Sequence, residues 1–201
     1  GALEDNQHGI SYRTIQKIFH LLKLRAQQQK AAEMFVGTDE VKEEVSFSFS
    51  LKVGMLEIYN DEIYDLLSTT GAKENSMKAG GKASLDIRRN QDGRVEVPNL
   101  TKESVNSIEE VMELLKRGNS NRATAATDLN EHSSRSHMVL SVDVISGLGE
   151  THSNRGTLYL VDLAGSERVR KSNVAGDNLK EAGFINKSLS ALGNVMEALD
   201  R

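Results

Sequence analysis

Cysteine is absent from all 201 residues, which excludes disulfides and thiolate-ligated zinc and makes a cytoplasmic setting the expectation. No apolar run approaches the roughly 20 residues that cross a bilayer, and Gly1 to Gln7 are polar and acidic rather than a signal peptide, so no membrane partner is expected. Excess positive charge is missing too. The net charge of −4 argues against nucleic acid as the main partner. There is no internal repeat and no heptad run of the kind that would fix an oligomeric state. A further gap is chemical. A Gly-x-x-x-x-Gly-Lys-[Ser/Thr] loop, which cradles a triphosphate, does not occur. Gly80-Gly81-Lys82 comes nearest, but Ser76 stands where the first glycine belongs and Ala83 where a Mg²⁺-binding hydroxyl belongs. What is present is ordinary for a globular chain: 38% apolar and 27% charged residues, enough for one domain with a core.

Apolar periodicity divides the chain into elements. Ile10, Ile15, Ile18, Phe19, Leu22 and Leu24 predict a helix from Ser11 to about Gln29. From Val45 the period falls to two, through Phe47, Phe49, Leu51 and Val53, and Leu56 and Ile58 then fill the other face of a long strand. Asn60-Asp61-Glu62 predicts the cap of a short helix through Ile63, Leu66 and Leu67. Residues 68–84 have no period and read as a flexible loop. Asp92-Gly93 predicts a hairpin across Leu85 to Val97. Ser107-Ile108-Glu109-Glu110 has capping-box spacing, and the helix it opens carries Ile108, Val111, Met112 and Leu115 and is expected to stop at Gly118. Met138, Leu140, Val142 and Val144 alternate as a strand. Thr157 to Val161 is more uniformly apolar, which predicts a central strand, and Ile185, Leu189, Leu192, Met196 and Leu199 mark a final helix. The order of elements predicts a three-layer α/β fold with a mixed sheet and flanking helices.

Two short strings carry the chemistry. Asn130 to His137 holds three serines, an arginine and two histidines within its last six residues, too many polar groups for a core segment to satisfy. On a loop they make sense: one serine hydroxyl can ligate Mg²⁺, another can orient an attacking water, and the arginine can pair with a carboxylate. Downstream, an apolar strand ends in Asp162, and Gly165 follows three residues later. A carboxylate at the C-terminal edge of a sheet can hold metal-bound water, and a glycine there can offer its N–H to a phosphate without a side chain in the way. Asp-x-x-Gly alone is more often an ordinary turn; it gains weight from the string before it.

These segments resemble the kinesin motor domain. Asn130 to His137 is similar to switch I, Asp162 to Glu167 to switch II, and about 179–200, with Ile185-Asn186-Lys187-Ser188-Leu189, to the switch II helix. Leu56 to Leu67 is similar to a further family signature, and Gly9 to Thr14, Val97 to Leu100 and Arg155 to Leu160 are most similar to the C-terminal-motor, minus-end-directed subfamily. The resemblance implies a kinesin-type P-loop NTPase fold, ATP and Mg²⁺ as cofactors, and a microtubule-stimulated ATPase located on the microtubule cytoskeleton. It implies that Ser134 ligates Mg²⁺, that Ser133 helps place the lytic water, and that Asp162 holds the metal through water. Gly165 would contact the γ-phosphate and Arg135 would latch onto Glu167. Asn130, Ser136 and His137 would complete the nucleotide side.

Residues 168–187 carry Arg168, Arg170, Lys171, Lys180 and Lys187 against Asp177 and Glu181, a local charge of +3 on an acidic chain. Such a patch suits an acidic partner surface, and the resemblance makes that partner tubulin. The hairpin from Asp86 to Leu100 would be a second contact. Relative to a complete motor the expectation is a central fragment without the phosphate loop, inactive by itself, with the strand from Thr157 left as an unpaired edge and the final helix uncovered on its far side. Dimerisation would come from a coiled coil outside these residues. The alternative function is a nucleotide-free microtubule-binding module or partner subunit.

Overall fold

A computed structural model of the chain describes residues 9–35, 46–68, 84–91, 93–125, 135–148, 152–165 and 177–200. Its elements in chain order are α1 (Ile10–Phe35), β1 (Phe47–Tyr59), β2 (Glu62–Asp65), β3 (Arg88–Arg89), β4 (Val95–Glu96), β5 (Lys102–Val105), α2 (Ile108–Ala125), β6 (His137–Leu148), β7 (His152–Asp162) and α3 (Asp177–Leu199). Hydrogen bonding orders the main sheet β2-β1-β6-β7, with β5 also paired to β1, while β3 and β4 form a separate pair. The class is therefore the expected α/β, a sheet with flanking helices. The interior of the expected loop 68–84 lies outside the described residues.

The chain divides into two compact units. The first holds α1, β1 up to Gly54, β5, α2 up to Lys116, β6 from Ser141 and β7 up to Leu160. Neither Gly nor Pro interrupts Ile10 to Phe35, and α1 runs past the expected end near Gln29 through a stretch of good helix formers. Among its described side chains, Ile15 and Phe19, four residues apart, are the buried ones. In β1, Leu51 and Val53 are buried while Lys52 between them is exposed, and antiparallel pairing sets Leu51 opposite Val105 and Gly54 opposite Lys102. Asp143 accepts from the Lys102 ammonium at 2.6 Å and from the Thr157 hydroxyl at 2.7 Å, so one carboxylate links β5, β6 and β7. Ser107 caps the helix: Glu110 N–H donates to Ser107 Oγ at 3.2 Å, and Glu110 Oε2 reaches back to accept from Asn106 N–H at 2.8 Å, one residue before the cap.

The second unit holds the remainder, including all of the expected switch segments. Two expectations change here. Asn60 and Asp61 do not cap a helix. Both take left-handed backbone angles (φ 52° and 66°), the geometry of a two-residue hairpin turn, and β2 folds back with Ile58 opposite Ile63. Asp65 then ends β2 as an Asx turn: Oδ1 accepts from Leu67 N–H (2.8 Å) and Ser68 N–H (3.1 Å), and Oδ2 accepts from Thr101 N–H (2.7 Å). Leu66 and Leu67 are fully buried on that turn rather than on a helix.

Gly118 does not end α2 either. A Cβ there would overlap the Sδ of the fully buried Met55, so this glycine is a point where only a bare backbone lets helix and strand approach. The helix continues to Ala125, and Asn121 Nδ2 donates to the Leu66 carbonyl at 2.8 Å. The hairpin around Gly93 (φ 76°) is present but short, with Arg88 opposite Glu96 and Arg89 opposite Val95. The strand expected to be central, β7, stands at the end of the strand order among the described residues, and Tyr159 and Val161 on it are 57% and 53% exposed. Leu192, Val195 and Met196 on α3 are likewise exposed.

Candidate functional site

The site is built around Arg122, a residue that the sequence patterns did not single out. It lies on α2 four residues beyond Gly118, and is buried. Its Nε donates to Glu57 Oε1 on β1 (3.2 Å) and to Ser136 Oγ (3.3 Å). Nη2 donates to the Ser136 carbonyl and hydroxyl oxygens, both at 3.0 Å. Nη1 reaches Asp162 Oδ2 at 3.4 Å, a long ion pair at the limit of a hydrogen bond. One planar guanidinium thus joins a strand, the end of the Asn130–His137 string and the start of the Asp162–Glu167 string, a use for which the fixed fork of arginine is suited. A sequence signal did exist. Arg122 falls on the buried stripe of α2 at i+11 from Val111, and Glu57 interrupts the buried run of β1, so two opposite charges occupy apolar positions.

Of the expected nucleotide-side residues, Asn130, Ser133, Ser134 and Glu167 lie outside the described residues. Arg135 is half-buried. Ser136 is fully buried against Arg122, so its hydroxyl is engaged inside the protein. His137 opens β6 and is buried. Its Nδ1 accepts from Ala164 N–H at 3.0 Å, and its Nε2 lies 2.6 Å from Ser188 Oγ on α3. Burial lowers the His137 pKa below the ordinary 6.5, the nearby Arg122 charge lowers it further, and Asp162 opposes both. The Asp162 side chain remains 62% exposed despite Arg122, so a carboxylate at the end of β7 faces solvent with the half-buried Gly165 three residues on. Among the described residues no group of three or more ligating side chains gathers here, so Asp162 could hold a hydrated metal only together with groups outside them.

On the basic side, Arg168, Arg170 and Lys171 lie outside the described residues, and Lys180 falls in the first turn of α3. Lys187 is exposed and paired with Asp61 in the β1–β2 turn. No helix among the described residues is long and apolar enough to cross a membrane.

The family model described as "Kinesin motor domain" matches residues 1–201, and the chain belongs to that family. Among curated relatives, Kinesin-like protein KIN-14Q of Arabidopsis thaliana is 40% identical over 201 residues, covering 98% of this chain and 15% of that protein. Kinesin-like protein klp-3 of Caenorhabditis elegans is 43% identical, covering 95% of this chain and 27% of that protein. Among solved structures, the motor domain of the Saccharomyces cerevisiae kinesin-related protein KAR3 superposes with a TM-score of 0.69 at 34% identity, over 98% of this chain and 51% of that one. The structure of a fast kinesin gives 0.70 at 33% identity, over 99% and 49%. The chain therefore spans about half of those two solved chains.

Proposed function

We propose that these residues form the central part of a motor domain that couples ATP binding and hydrolysis to microtubule binding and movement. The observation that supports this most is the Arg122 junction, because it ties the exposed Asp162 carboxylate to the switch I end through Ser136 in one buried network. A change at the carboxylate then has a rigid route to the neighbouring segment. ATP with Mg²⁺ would supply the phosphoryl chemistry. Asp162 would hold the metal through water with Ser134 as a direct ligand, Ser133 would place the water, and Gly165 would contact the terminal phosphate. Arg135 and Glu167 would close the site. Asn130 would contribute to nucleotide binding. The phosphate loop that completes such a site would come from outside these residues, so residues 1–201 alone are not expected to hydrolyse ATP.

Arg168, Arg170, Lys171, Lys180 and Lys187 would face the acidic surface of tubulin, making the microtubule cytoskeleton the place of action. The KIN-14 relatives support the C-terminal-motor subfamily, with dimerisation through a coiled coil elsewhere. The test is a protein extended to the length of the solved motors. Arg135→Ala and Glu167→Ala should each abolish most microtubule-stimulated turnover and should not add when combined. Normal stimulated turnover in both variants would refute the assignment.

A further inference from the structure

His137 has two ring nitrogens, and each is committed to a different segment. Nδ1 accepts the Ala164 N–H, an unambiguous donor. Nδ1 must therefore carry a lone pair, and the ring proton sits on Nε2. Nε2–H then donates to Ser188 Oγ, whose own hydroxyl donates to the Ile185 carbonyl at 2.8 Å. Only this neutral tautomer satisfies all four groups together. Swapping the tautomer would set two donors against each other at Ala164.

The two ends of the ring matter for different reasons. Ala164 immediately precedes Gly165, so its hydrogen bond fixes the peptide leading into the switch II glycine. Ser188 lies on α3, a helix attached lightly for its length: beyond Gly183 only Phe184, Ile185, Ser188 and Leu189 are even half-buried among its described side chains. Ser188 and its neighbour Lys187 each form a polar attachment of α3 to another element. We propose that His137 is a positioning residue that couples the segment before Gly165 to α3, so that movement of either is transmitted through the ring to the other. The motor reading enters only in naming which movement is used.

Hydrogen exchange and ¹⁵N NMR on the 201-residue chain test this without nucleotide. The native ring is expected to show protonated Nε2 and bare Nδ1. Ser188→Ala removes one end and should speed exchange of the α3 amides about tenfold, the weight of one hydrogen bond, while Ala164 stays protected. His137→Asn keeps an acceptor near the Nδ1 position and should give the same pattern, and the double variant should be no worse than either single one. A protonated Nδ1, unchanged α3 exchange in Ser188→Ala, or additive effects would each overturn the proposal. In a complete motor, Ser188→Ala should lower microtubule-stimulated turnover about tenfold at unchanged basal turnover, again the weight of one hydrogen bond; equal loss of both would overturn the coupling. The exchange and NMR results can fail while the motor reading stands, and the reverse.

Discussion

The guanidinium of Arg122 lies 3.2 Å from Glu57 Oε1, and both side chains are almost wholly removed from solvent. A buried ion pair of this kind is not in itself strong evidence for stability, but losing one partner leaves an uncompensated charge. Arg122→Ala is therefore expected to destabilise the chain by about 3–5 kcal/mol in urea unfolding. Combining Arg122→Met with Glu57→Leu should recover most of that loss, since the second charge goes too. A loss in Arg122→Ala below about 1 kcal/mol would mean the pair is solvated.

Gly118→Ala makes a sharper packing prediction. In an exposed helix the change would gain about 1 kcal/mol. Here the new methyl would meet the Met55 sulfur inside a packed region, and overpacking costs about 1–3 kcal/mol. The net effect should be destabilising, and Met55→Ala in the same chain should lessen the penalty of the added methyl. Additive effects of the two changes would show that Gly118 and Met55 do not share space.

His137 gives stability a pH dependence with a definite sign. Its folded pKa is lowered, chiefly by burial and then by Arg122, so the unfolded chain binds the proton more readily. The contribution is complete above the unfolded pKa of about 6.5 and is lost as pH falls through that value toward the folded one. Thermal unfolding between about pH 8 and pH 5, the range over which histidine titrates, should show this decline, and His137→Asn should remove its share of the slope. An identical slope in the variant would place the titration elsewhere.

Lys187 was expected on the microtubule face, yet its ammonium is engaged by Asp61. Both side chains are largely exposed, so Asp61→Asn should change stability by less than about 0.5 kcal/mol. In a complete motor it should strengthen microtubule co-sedimentation by freeing the cation, and Lys187→Gln should abolish the gain. Unchanged affinity in Asp61→Asn would argue that Lys187 does not face the track.

How much of this was legible in the sequence depended on whether a pattern was local. The long periodic segments α1, β1, β6 and α3 and the Ser107 cap follow from spacing alone. The error at Asn60-Asp61 arose because these residues favour both helix caps and left-handed turns, and the choice between them is settled by strand pairing and by Asp65 bonding to Thr101, 36 residues away. Gly118 reads as a helix stop unless Met55 is known to press against it. The Arg122–Glu57 junction spans 65 residues. Its only trace in sequence is a charge out of place on each of two apolar patterns.

ATP turnover measured with and without microtubules, on a protein that extends this chain to the length of the solved motors, tests the central claim most directly. The account predicts basal hydrolysis that rises when microtubules are added. Co-sedimentation with microtubules but no ATP hydrolysis would contradict it and leave a nucleotide-free binding module.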